Sequence, residues 1–69
     1  MHELWTYRIE VQGPVDERDV NTRSPFRTTV LRVDRSATLL AVDADQSGLI
    51  GLLRHLHGRG FVLLSLTRE

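Results

Sequence analysis

Asp45-Gln46-Ser47-Gly48-Leu49-Ile50-Gly51-Leu52-Leu53-Arg54-His55-Leu56-His57 carries the clearest helical periodicity in this chain of 69 residues. Leu49, Leu52, Leu53 and Leu56 recur at i, i+3, i+4 and i+7, so they form one apolar stripe and predict a helix over 46–57. Asp45, or Asp43, supplies a carboxylate for the N-cap. Gly58 or Gly60 can end the helix in the left-handed conformation. Gly51 in the interior costs about 1 kcal/mol relative to Ala, and close approach of the helix to a sheet is the expected compensation. About 12 residues make a helix about 18 Å long, a match for strands of five or six residues.

On both sides of this helix the period changes to two. Trp5, Tyr7, Ile9 and Val11 alternate with Leu4, Thr6, Arg8 and Glu10, which predicts a strand over 6–11 with one buried face, ended by Gly13-Pro14. Residues 26–34 are rich in β-branched side chains. Asp34-Arg35-Ser36 is a turn, and 37–44 form a third strand paired with 26–34 as a hairpin. After the helix, 61–66 form the last strand, with Val62, Leu64 and Leu66 on one side and Phe61 and Leu63 on the other. The stretch 15–25 is polar, with only Val15 and Val20 to bury, and reads as a loop or a short turn of helix after Pro14.

The order is therefore β(α)ββαβ in one small α+β domain spanning 1–69, the ferredoxin-like arrangement with its first helix short or missing. The first and third strands are expected at the centre of an antiparallel sheet, with the last strand on the edge beside the first. One good helix covers part of one face. The other face is expected to carry Leu4, Thr6, Leu63 and members of the hairpin, and an apolar edge strand beside an uncovered face is an aggregation hazard unless it pairs.

Composition points the same way. With nine Arg, no Lys and nine acidic residues, the chain has net charge +0. Folding takes about 7,000 Å² out of water. With about 60% of it apolar, that contributes on the order of 100 kcal/mol, and ordering the chain at about 1.5 kcal/mol per residue costs nearly as much. The monomer is marginal, and with no Cys no disulfide can help. Self-association is the remaining source of buried surface. The zero net charge argues against nucleic acid as a partner. No stretch approaches the ~20 apolar residues of a membrane span, and the N-terminus shows no export pattern. A cytoplasmic location is expected.

Asp45-Gln46-Ser47-Gly48-Leu49, Gly51-Leu52-Leu53 and Gly60-Phe61-Val62-Leu63-Leu64-Ser65-Leu66, together with Tyr7-Arg8-Ile9-Glu10-Val11-Gln12-Gly13, resemble a group of short uncharacterised bacterial, actinobacterial-like proteins. The likeness covers 7–13 and 38–68. It implies a ferredoxin-like fold and transfers no activity, because its motif residues act as cap, packing and C-cap. This chain departs from the pattern in the middle, where 16–24 are polar instead of an amphipathic helix with an aromatic residue. It also lacks the Gly that usually precedes the Asp-Gln pair.

No constellation of residues defines a chemistry. Asp43, Asp45, Ser47 and Gly48 match the first half of a calcium loop, but position 12, which needs a bidentate Glu, is Arg54. His55 and His57 are two apart on a helix, whereas a helical metal pair needs i, i+4. No Ser lies in a nucleophile motif, and Gly58-Arg59-Gly60 ends a helix instead of opening one around a phosphate. Trp5 and Tyr7 read as core aromatics beneath the helix rather than as a base-stacking platform. The sequence thus predicts no catalytic residue, no metal and no cofactor. It predicts a self-associating interaction or accessory module, a homodimer with a possible larger protein partner, whose interface includes Leu4, Thr6, Phe61 and Leu63. The alternatives are an amino-acid-type sensor with its site at a dimer interface, cued by Gly13-Pro14 and 58–60, and a small enzyme subunit.

Overall fold

The computed structural model describes residues 3–69 and runs β1 (Trp5–Gln12), α1 (Glu17–Asn21), β2 (Thr29–Val33), β3 (Ala37–Ala44), α2 (Gln46–Gly58) and β4 (Leu63–Arg68). The four strands form one antiparallel sheet in the order β2-β3-β1-β4. The two strands with the cleanest two-residue periods, β1 and β3, are the central ones. Tyr7, Ile9 and Val11 of β1 lie opposite Val42, Leu40 and Thr38 of β3. All six are buried, and with Ala44, Val20, Leu49, Leu52 and Leu56 they include the whole hydrophobic core.

Helix α2 forms as its periodicity predicts, and both ends are closed. The Asp45 side chain accepts a hydrogen bond from the Gly48 N–H at 2.7 Å, which satisfies one of the orphan donors of the first turn. At the other end Gly60 has φ +89°, its N–H donates to the His57 carbonyl, and the Phe61 N–H donates to the Leu56 carbonyl. This is a Schellman motif, with Phe61 folding back over the last turn. The close approach expected at Gly51 occurs elsewhere. A Cβ on Gly51 would meet nothing within 4 Å, whereas one on Gly48 would stand 2.4 Å from the Phe26 ring.

The polar stretch after β1 does form helix, but for five residues only, and it starts from Asp16 as N-cap instead of at Pro14. With Val20 as its buried residue, α1 is fastened mainly by polar contacts. Asn21 Oδ1 accepts from the Thr28 N–H at 2.7 Å, and Asn21 Nδ2 donates to the Thr28 carbonyl at 2.9 Å. Arg59, just past α2, donates from Nη1 to the Asp19 and Thr22 carbonyls and pairs through Nη2 with the Asp19 carboxylate at 2.8 Å. Buried Thr38 donates to the Gly13 carbonyl and accepts from the Val15 N–H, so it ties β3 to the same connection.

The β2–β3 turn at Asp34-Arg35-Ser36 forms as expected. Asp34 Oδ1 accepts from the N–H groups of Ser36 and Ala37 and from the Ser36 hydroxyl. These bonds hold the Asp34 carboxyl below its ordinary pKa, the Ala37 N–H contributing most. Both edge strands start later than their composition suggests, β2 at Thr29 and β4 at Leu63. Each carries a register shift, opposite Leu31 in β2 and Leu64 in β4. The shift in β4 breaks the simple alternation over 61–66.

Candidate functional site

The bulge decides where the leucines of β4 point. Leu66 lies opposite Ile9 and Leu63 opposite Val11, while Ser65 and Thr67 lie opposite Glu10 and Arg8. Ile9 and Val11 are buried beneath α2, so Leu63 and Leu66 belong to the helix side of the sheet. The sequence had placed Leu63 on the uncovered face. An unbroken alternation gives that answer, and one extra residue reverses it.

The face without helices carries a row of polar contacts, beside the exposed Leu31. Thr6 donates to Asp43 Oδ1 at 2.6 Å, Ser65 donates to Glu10 Oε1 at 3.4 Å, and Arg8 is ion-paired with Glu69. Leu39 lies on this face opposite Glu10, half-buried. The apolar surface that one helix fails to shield lies on the helix side, along β4.

There α2 and β4 diverge and leave a groove of about 730 Å³. One wall is Ile50, Leu53, Arg54 and His57 of α2. Val11 and Leu56 contribute from the core, and Gly60, Phe61, Val62 and Leu63 form the other wall. The α2 wall is a second stripe at i, i+3, i+4 and i+7, displaced round the helix from the core stripe. Ile50, Val62, Leu63, Leu64 and Leu66 each remain 43 to 51% exposed. Phe61 is half-buried against the core, with the Arg59 guanidinium 5.9 Å from its ring centre.

Of the four residues named from sequence, the structure brings Phe61 and Leu63 together in this groove. Leu4 precedes β1 and is 69% exposed. Thr6 lies on the opposite face, in a shallow concavity of mixed character with Arg27, Thr29, Leu31, Ala41 and Asp43. Ile50, Leu53, Val62, Leu64 and Leu66 were not singled out. The stripe from Ile50 to His57 was the available signal.

The other candidates fall as follows. Tyr7 is a core residue, but Trp5 is at the end of the sheet, 36% exposed, with the Arg68 guanidinium 4.1 Å above its ring. Asp43 and Asp45 are engaged by Thr6 and Gly48, respectively. His57 lines the groove. His55 points elsewhere, and its Nε2 is buried without a hydrogen-bond partner among the described residues. Among the described residues no three His, Asp or Glu side chains gather where a metal could sit. No helix among them is long and apolar enough to cross a membrane.

The fold and site define a small mixed α+β domain with a four-stranded antiparallel open sheet, two helices and one bare apolar flank. The chain belongs to a family described as a domain of unknown function, DUF8691, whose model matches residues 6–67. No curated protein matches the chain, and no solved structure matches it.

Proposed function

We propose that this chain is a non-catalytic, self-associating interaction domain of ferredoxin-like topology. It serves as an accessory or regulatory module to a larger protein, in the cytoplasm. Both the element order and the strand order, with β1 and β3 inside and β4 beside β1, support the ferredoxin-like reading. The observation that carries the function is the exposure of Ile50, Val62 and Leu63 in the groove, with Leu64 and Leu66 exposed on the same strand. These five residues expose on the order of 400 Å², the size of the largest apolar patch on an ordinary monomer, which is often functional. Size-exclusion chromatography with light scattering tests the reading. The expected result is a species heavier than one 7.9 kDa chain, and a strict monomer at high micromolar concentration contradicts it.

A second reading, a small-ligand sensor, is favoured by the groove itself. Its volume of about 730 Å³ falls in the range of ligand pockets. Arg54 supplies a guanidinium to its wall and His57 an imidazole, and Gly60 brings backbone to the same place. Those groups select an acid with an apolar body. Thermal-shift screening against apolar amino acids and short carboxylates checks it: a raised midpoint that Arg54→Ala abolishes supports the sensor, and no shift with any acid removes it.

A further inference from the structure

We infer that the occupant of the bare flank is the β4 strand of a second copy, added antiparallel about a two-fold axis to join two four-stranded sheets. This rests on the self-association reading and names its surface. β4 pairs with β1 alone, and its other edge has no backbone partner among the described residues. A row of unpaired N–H and C=O groups beside an apolar groove asks for an extended chain.

A strand added there must place apolar side chains on the helix side and polar ones on the other side. β4 itself has that pattern, with Leu63 and Leu66 on one side and Ser65 and Thr67 on the other. The edge is thus complementary to itself, as a two-fold interface must be.

Residues 60–67 contain no ionisable side chain, and Arg68 beyond them is already stacked on Trp5. The strand edge itself therefore brings no like charges together, and Arg54 and His57 stand on the α2 wall of the groove. The opposite edge is guarded: β2 is five residues long, has Arg32 within it, and is flanked by Arg27, Asp34 and Arg35. Charges on an edge strand are a standard defence against pairing. Leu31 and Val33 are exposed on β2 as well, but they sit among these charges.

The exposed apolar band supplies roughly half of the ~800 Å² that each partner contributes to a standard interface. The strand edge and polar rim supply the remainder, a normal apolar share.

The test compares wild type, Leu64→Lys on β4 and Val33→Lys on β2. Both substituted residues are about half exposed, and circular dichroism establishes that each variant keeps the wild-type spectrum. Wild type and Val33→Lys are expected to run as dimers, and Leu64→Lys as a monomer, with the dissociation constant raised at least about tenfold, equivalent to about 1.4 kcal/mol. If Leu64→Lys does not fold, Leu66→Lys, at a position opposite Ile9 that is 43% exposed, gives the same reading. Wild type that is dimeric while both β4 variants remain dimeric overturns the β4 assignment and leaves self-association standing. Wild type that is monomeric throughout overturns both.

Discussion

On the α1 side of α2, Asn21 clasps Thr28, Phe26 lies against Gly48, and Arg59 reaches the last carbonyls of α1. On the β4 side, Ile50, Leu53 and His57 look across an open groove at Phe61, Val62 and Leu63. The same helix is sealed on one flank by a short polar connection and left bare on the other. Polar groups hold a chain segment only where donors and acceptors meet at fixed distances, so the α1 flank serves this one protomer. Apolar side chains accept any well-shaped cover, so the β4 flank is free to take its cover from another molecule. Changes on the first flank should therefore alter unfolding, and changes on the second should alter association.

The largest effect is expected where the flanks share a foundation. Leu52 of α2 is fully buried, and Leu52→Ala should lower unfolding stability by about 2–5 kcal/mol in denaturant titrations. Asn21→Ala attacks the α1 flank alone. It strips the Thr28 N–H and carbonyl of their partners, so a loss of about 1–3 kcal/mol is expected, with association unchanged by light scattering. An equal loss of association would show that the flanks are coupled.

A pair of glycines sharpens the contrast further. Gly60 has φ +89° in the motif that turns α2 toward β4, so Gly60→Ala should destabilise by about 1 kcal/mol. Gly51 is helical, with open space where its Cβ would be, so Gly51→Ala should stabilise by about 0.5–1 kcal/mol. Thermal melts of the two variants should move in opposite directions. The smallest effect concerns Asp34, whose folded pKa lies below the ordinary 3.8. A lowered carboxylate pKa contributes stability that is complete above the unfolded value and lost as pH falls toward the folded value. Asp34→Ala should therefore flatten the acid limb of the stability profile below about pH 4 and leave association near neutrality untouched.

How much of this was legible in the sequence follows the same division. The core strands and α2 were readable because Tyr7, Ile9 and Val11, and Leu49, Leu52 and Leu56, repeat with the period of the element they occupy. The strand order followed from the element order. Helix α1 was half legible: its one buried residue, Val20, carries no periodicity, and the Asn21–Thr28 and Arg59–Asp19 contacts join residues far enough apart that no local pattern announces them. The candidate site was partly legible. Phe61 and Leu63 were named for an interface, but Leu63 was assigned to the wrong side of the sheet, because the extra residue at Leu64 leaves no mark in composition. Trp5 shares the period of the core strand yet lies at its end, beyond the reach of α2.

Hydrogen exchange on the wild-type chain at two concentrations, one dilute and one at high micromolar, addresses the bare flank most directly. Edge strands exchange fast unless they are paired. The amides of β4 that do not face β1 should be protected in the concentrated sample and lose that protection on dilution, while β2 exchanges alike in both. Exchange of β4 that is rapid and independent of concentration would contradict the account.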